Sequence, residues 1–138
     1  MKDLITNDQT KKTDEKRIYD LEERTAVFGE KVIEFTKGLS TDRTNNELVS
    51  QIVRSGTSIG ANYVEADGAV SKKDFRHKIG ICKKEAKETK YWLRMIARAN
   101  PNMKDICEEL SNEVQELVLI FSSIIISMDK KRSSQIKT

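Results

Sequence analysis

Apolar side chains in this chain recur at alternating intervals of four and three residues. That spacing constrains the fold more than any other feature. The clearest run is Phe75, Ile79, Cys82, Ala86, Thr89, Leu93 and Ile96, which is one stripe along a helix of 3.6 residues per turn. Leu21, Thr25, Phe28, Val32, Phe35 and Leu39 form another, and Leu48, Ile52, Ser55, Ile59 and Ala66 a third. The fourth runs through Met103, Ile106, Leu110, Val114, Leu117, Phe121, Ile124 and Met128. No segment shows the two-residue alternation of a strand. One proline and six glycines in 138 residues are too few turn residues for a sandwich or barrel. The expectation is an all-α protein, an antiparallel up-down-up-down four-helix bundle with short connections.

Start and stop signals divide the stripes. Asp20 with Glu23 and Thr44 with Glu47 resemble capping boxes, and Ser71 with Asp74 is a variant of the same pattern. Pro101 suits a first helical turn, and Gly38 and Gly68 suit helix ends. The third helix then runs for about 27 residues, or about 40 Å. The second contains Gly56 and Gly60. A glycine inside a helix costs about 0.5–1 kcal/mol relative to alanine, so close approach of a neighbouring backbone is expected there. Residues 1–17 lack apolar periodicity and read as a mobile N-terminal tail. Residues 18–130 form the bundle domain, and 131–138 read as a mobile C-terminal tail.

Several function classes fit poorly. The N-terminal stretch MKDLITNDQTKKTDEKR has no apolar signal core. The run Leu117–Phe121 is broken from Ile124–Ile126 by Ser122 and Ser123, short of the roughly 20 residues of a membrane span. A cytoplasmic protein without a membrane partner is expected. Cys82 and Cys107 are too few for a zinc or disulfide framework and fall on apolar stripes, as core thiols. His77 is the only histidine, whereas di-iron bundles use two Glu-x-x-His motifs. Neither a metal, a cofactor nor a catalytic residue is expected, and the chain reads as non-enzymatic.

Charge is the feature that points to a function. The chain carries a net +3, yet residues 71–98 hold ten lysines and arginines against three acidic residues. Lys72, Arg76, Lys83, Lys87, Lys90, Arg94 and Arg98 fall within an arc of about 80° on the third helix. One reading is a phosphate-tracking, nucleic-acid-binding surface; the other is the solvated face of an ordinary helix. Tyr91 borders the basic side, where it could stack on a base or pack at a subunit boundary; Trp92 reads as a boundary side chain. Arg54, Ser58, Asn62 and Glu65 form a polar stripe on the second helix, read as an interhelical or intersubunit network, for example Arg54 with Glu65 of a neighbour, with a ligand site as the lesser alternative. From Leu117 onward the fourth helix is apolar on all sides. Val118, Leu119, Ile125 and Ile126 are therefore expected at an oligomer interface.

The middle of the chain, RSGTSIGANYVEADGAVSKKDFRHKIGICKKEAKETKYWL, resembles the bacterial four-helix-bundle family of 23S rRNA-intervening sequence proteins. The resemblance rests on Arg54-Ser55, Ser58-Ile59, Asn62, Glu65 and Ser71. It continues through Asp74-Phe75, Glu85, Glu88 and Trp92, with Asp20-Leu21-Glu22 and Arg24 at the first helix. It spans residues 18–130; Cys82 and the lysines before residue 18 stand outside its pattern. It implies a four-helix bundle assembling as a ring-like homopentamer. It also implies kinship with the accessory variability protein of diversity-generating retroelements, a basic pentamer that engages reverse transcriptase and nucleic acid. The functional expectation is a non-enzymatic, oligomeric protein that binds nucleic acid, RNA in the first place, or acts as an adapter for an acidic or nucleic-acid-processing partner. The pentamer is preferred and a dimer on the same patch is second. The alternative is a structural protein–protein interaction module with no nucleic-acid role.

Overall fold

A computed structural model of the chain describes residues 20–137; the tail expected over residues 1–17 lies outside them. The described residues form four helices and no strand. Helix α1 is Leu21–Lys37, α2 is Arg43–Asp67, α3 is Lys72–Ala99, and α4 is Lys104–Lys137. A 3-10 turn, Pro101–Met103, connects α3 to α4.

The caps explain the boundaries, and two of them differ from expectation. Ser71 caps α3 as its spacing predicts: its Oγ accepts the Asp74 amide at 3.0 Å. For α2 the cap is Asp42, whose carboxylate accepts the Asn45 amide at 2.7 Å. Asp42 has the extended backbone a cap requires, whereas Thr44 already lies inside the helix. Asp20 precedes α1 with near-helical backbone angles and makes no side-chain cap bond. Its carbonyl instead accepts the Arg24 amide at 2.7 Å. Helix α4 continues through Lys137, so most of the segment expected as a C-terminal tail is helical. No glycine or proline occurs between Asp129 and Lys137 to stop it.

The stripes converge on one core. Phe28, Val32, Ile52, Ile59, Ile79 and Ile96 are fully or almost fully buried, as are Val114, Leu117 and Phe121. Ile106, expected in the α4 seam, is instead 40% exposed. Cys107, one residue on, takes the core position in step with Leu110 and Val114. A one-residue offset rotates a helical side chain by about 100°, which leaves Ile106 at the lip between α1 and α4. By length and composition α4 is also apolar enough to cross a membrane, which counting consecutive apolar residues misses. Val114, Leu117, Val118 and Phe121 of that stretch are buried against the protein's own core.

The α2 glycines sit where α1 comes close. A Cβ on Gly56 would lie 3.2 Å from both Val32 methyl groups, and one on Gly60 would lie 3.3 Å from Thr25 Oγ1 and 3.4 Å from the Thr25 carbonyl. Gly60→Leu should therefore overpack the contact and destabilise by on the order of 1–3 kcal/mol, seen as a lower denaturation midpoint. A higher midpoint would mean that the helix-propensity gain outweighs the contact.

Polar contacts tie the remaining seams. Arg24 forks onto Glu113 at 2.8 and 3.2 Å and reaches Glu116 at 2.8 Å, joining α1 to α4. These hydrogen bonds hold the Glu113 carboxyl below the usual carboxylate range. Asn45 of α2 and Asn100 at the end of α3 exchange side-chain amide bonds of 3.0 and 2.9 Å. Asn45 also donates to the Ser40 carbonyl, and Asn100 to that of Ile96. Both asparagines are buried, and this exchange satisfies groups that would otherwise be costly to bury.

Candidate functional site

Helix α3 is amphipathic over its full length because its apolar stripe faces α2 and α4 while its cations are left on the outside. The seven cations expected to act together nevertheless fall into different settings. Arg76 is committed to Asp129 of α4, with Nε and Nη2 donating to the two carboxylate oxygens at 2.7 and 2.9 Å. The pair pushes the Asp129 carboxyl down and the Arg76 guanidinium up. Lys90 Nζ reaches across to Gln115 Oε1 at 2.8 Å, a neutral partner that leaves its charge in place. Lys72, Lys83, Lys87, Arg94 and Arg98 form no ion pair among the described residues.

Three of the seven meet at a groove of about 670 Å³ between α3 and α4, lined on the α3 side by Lys87, Lys90, Tyr91 and Arg94. Leu93, Ala97, Cys107 and Val118 contribute apolar surface. Ser111 and Gln115 line it from α4, with Glu108 as a carboxylate. Lys104, at the start of α4, is a fourth cation of the same groove. A stripe drawn along α3 could not include Lys104; the short turn Pro101–Met103 folds it back beside Arg94 and Ala97. Lys72, Arg76, Lys83 and Arg98 do not line the groove.

Tyr91 stands at the groove with 52% of its surface exposed. Its ring meets Trp92 edge to face, with centroids 5.0 Å apart and planes at 78°. Trp92 is half-buried against the core, and its indole Nε1 is buried without a hydrogen-bond partner among the described residues. Cys107, although it contributes to the groove, is 3% exposed. Burial pushes its thiol up to about 11, and that of Cys82 to about 12. Both thiols are protonated at neutral pH and act as small core residues. Cys82 Sγ donates to the Ile59 carbonyl at 3.5 Å. His77 is exposed, and among the described residues no three metal-ligating side chains stand together.

The polar stripe of α2 is an interhelical network, as one of the two expected readings has it, but with other partners than the Arg54–Glu65 pairing. Arg54 pairs with Glu85 and Glu88 of α3 in the same chain rather than with Glu65 of a neighbour. Glu65 accepts from Lys78 Nζ at 2.8 Å. Ser58 and Asn62 donate along their own helix, to the carbonyls of Arg54 and Ser58 at 2.6 and 2.8 Å. Arg54 and Glu65 therefore fasten α2 to α3, because Glu85 and Glu88 lie opposite the first and Lys78 opposite the second. Of the residues expected at an oligomer contact, Leu119 and Ile126 are 59% and 55% exposed, and Ile125 is half-buried. Val118 departs from the expectation: it is 8% exposed and packs towards the α3–α4 groove.

Known proteins share this architecture. The family model for the 23S rRNA-intervening sequence protein matches residues 18–123, which include every lining residue of the groove. A crystal structure from Bacteroides thetaiotaomicron VPI-5482, described as a protein with unknown function from the S23 ribosomal protein family, is similar at 35% identity with a TM-score of 0.67. The alignment covers 76% of this chain and 97% of that one. No curated protein matches the chain. With three quarters of its length inside one family match and its groove inside that span, the chain belongs to the 23S rRNA-intervening sequence protein family.

Proposed function

We propose that this chain is a non-enzymatic, oligomeric RNA-binding or adapter protein of the cytoplasm that holds polyanions in the groove between α3 and α4. The observation that carries the reading is the convergence of Lys87, Lys90, Arg94 and Lys104 on one groove. Phosphate contacts of this kind supply affinity without sequence preference.

The helices are arranged as an antiparallel up-down-up-down bundle. The order of pairing along the seams supports this: Thr25 meets Gly60 while Val32 meets Gly56. Asn45 pairs with Asn100 while Glu65 pairs with Lys78, and Arg76 pairs with Asp129 while Lys90 bonds Gln115. Copies associate through the outer face of α4, where Leu119 and Ile126 leave large apolar side chains in water. A pentamer is preferred, with a dimer on the same face second. One groove offers few phosphate contacts, and a ring multiplies them by avidity.

The test is a salt-dependent titration with RNA. Replacing Lys87, Lys90, Arg94 and Lys104 by glutamine should preserve helix content and weaken binding. It should also flatten the dependence of log K on log salt, by about 0.7 for each phosphate of a single strand that is no longer neutralised. Arg76 is left out of this set because Asp129 already neutralises it. An unchanged affinity and slope would remove the groove from the reading and leave the protein-interaction module in its place.

A further inference from the structure

We infer that the α3–α4 groove takes single-stranded nucleic acid, with an unpaired base on its apolar surface beside Tyr91 and the flanking phosphates on Lys87, Lys90, Arg94 and Lys104. This deepens the proposal that the groove binds RNA, and rests on it. Cations alone would suit any polyanion, including a duplex, so the discrimination has to come from the other lining residues.

Inside the cationic edge the groove floor is apolar, with half-buried Ala97 over the buried Val118 and Leu93. A duplex presents sugar and phosphate outward and keeps its bases stacked inside, so it has nothing to place against that surface. A single strand can turn a base into it. The groove's volume of about 670 Å³ lies within the range of roughly 300–1,000 Å³ typical of ligand sites.

Tyr91 supplies the stacking element. More than half of it is accessible, and its edge-to-face contact with Trp92 favours the ring position seen at the groove. The interaction tolerates any base, because every base has a π-face.

Glu108 makes the same distinction from the opposite wall. A carboxylate in a phosphate-binding groove repels the backbone, and a bare polyanion offers it no compensation. A nucleobase does, because exocyclic amino groups such as cytosine N4 donate to carboxylates. Ser111 and Gln115 add neutral polar groups on the same wall. Lys90, held over the groove by its bond to Gln115, exchanges a neutral partner for a phosphate without breaking an ion pair.

Fluorescence anisotropy on the full chain decides the matter, with three probes at one salt concentration: a short mixed-sequence RNA strand, that strand paired with its complement, and inorganic polyphosphate of matched charge as competitor. The strand should bind about tenfold more tightly than the duplex. Tyr91→Ala should lose about tenfold in affinity for the strand alone, while Tyr91→Phe keeps it. Tyr91 is exposed enough for both variants to be expected to fold, which circular dichroism checks. Equal affinity for strand and duplex, or polyphosphate competing as well as the strand, overturns the base-in-groove inference and leaves the polyanion reading standing. So does an unchanged Tyr91→Ala. Failure to bind any of the three overturns both.

Discussion

Leu119→Glu combined with Ile126→Glu is expected to convert the proposed homo-oligomer into folded monomers. The two side chains are seven residues apart, so they lie on one face of α4 two turns apart. Both leave more than half of their surface in water in the isolated chain. Covered by a second copy, each introduced carboxylate would be buried without a partner, an arrangement folded proteins avoid at a cost of several kcal/mol per ion. Left in water, the same carboxylates cost the single chain little. Gel filtration with light scattering should therefore show the mass fall to that of one chain, while circular dichroism stays helical. An assembly that survives both charges has its interface elsewhere. A wild-type monomer at micromolar concentration would refute the oligomer itself.

Phe121→Ala is expected to have the opposite outcome on the same helix, with folding lost before assembly. Phe121 is 0% exposed and lies between Leu117 and Ile124 on the inner face of α4. Truncating a buried phenylalanine removes its transfer free energy and leaves a cavity, about 3–5 kcal/mol in all. That is a large share of the roughly 5–15 kcal/mol by which a domain is stable. Urea denaturation should show the midpoint drop with the slope nearly unchanged. A drop of well under 1 kcal/mol would mean that α4 is not fastened to the core where the structure places it. Leu119 and Phe121 are two residues apart, yet one lies on the outer face proposed for association and the other in the core, because successive helical positions point about 100° apart.

That separation is only half legible in the sequence. Leu117 to Ile126 reads as apolar on all sides, which correctly signals a helix with more apolar surface than one stripe can use. The position of Val118 cannot be read from that pattern. It sits on the flank of the seam, and whether a flank is covered depends on how closely α3 lies alongside. Ile106 is the converse case: it fits the spacing but sits outside the core, because the turn at Pro101–Met103 sets the phase at which α4 begins, and that phase favours Cys107. The capping pattern behaves similarly. Ser71 is recognisable because its backbone leaves the helix where its side chain is needed. Thr44 carries the same residue pattern two positions too late, and Asp42 holds the extended conformation instead.

The basic groove shows where local reading stops. The sequence by itself determined that α3 is helical, that its apolar stripe faces inward and that its cations share one side. Each of these follows from the 3.6-residue repeat, which relates only neighbours within a few turns. Which cations are available was decided by the tertiary structure. Arg76 is taken by Asp129, 53 residues away, and Arg54 turns to Glu85 and Glu88 on the next helix. Lys104 joins Lys87, Lys90 and Arg94 from another element altogether. Asn45 and Asn100, unremarkable as a pair in the sequence, meet across 55 residues to satisfy each other's amides. Pairings of this kind depend on which helices lie side by side and at what height, and packing the whole apolar core sets both at once.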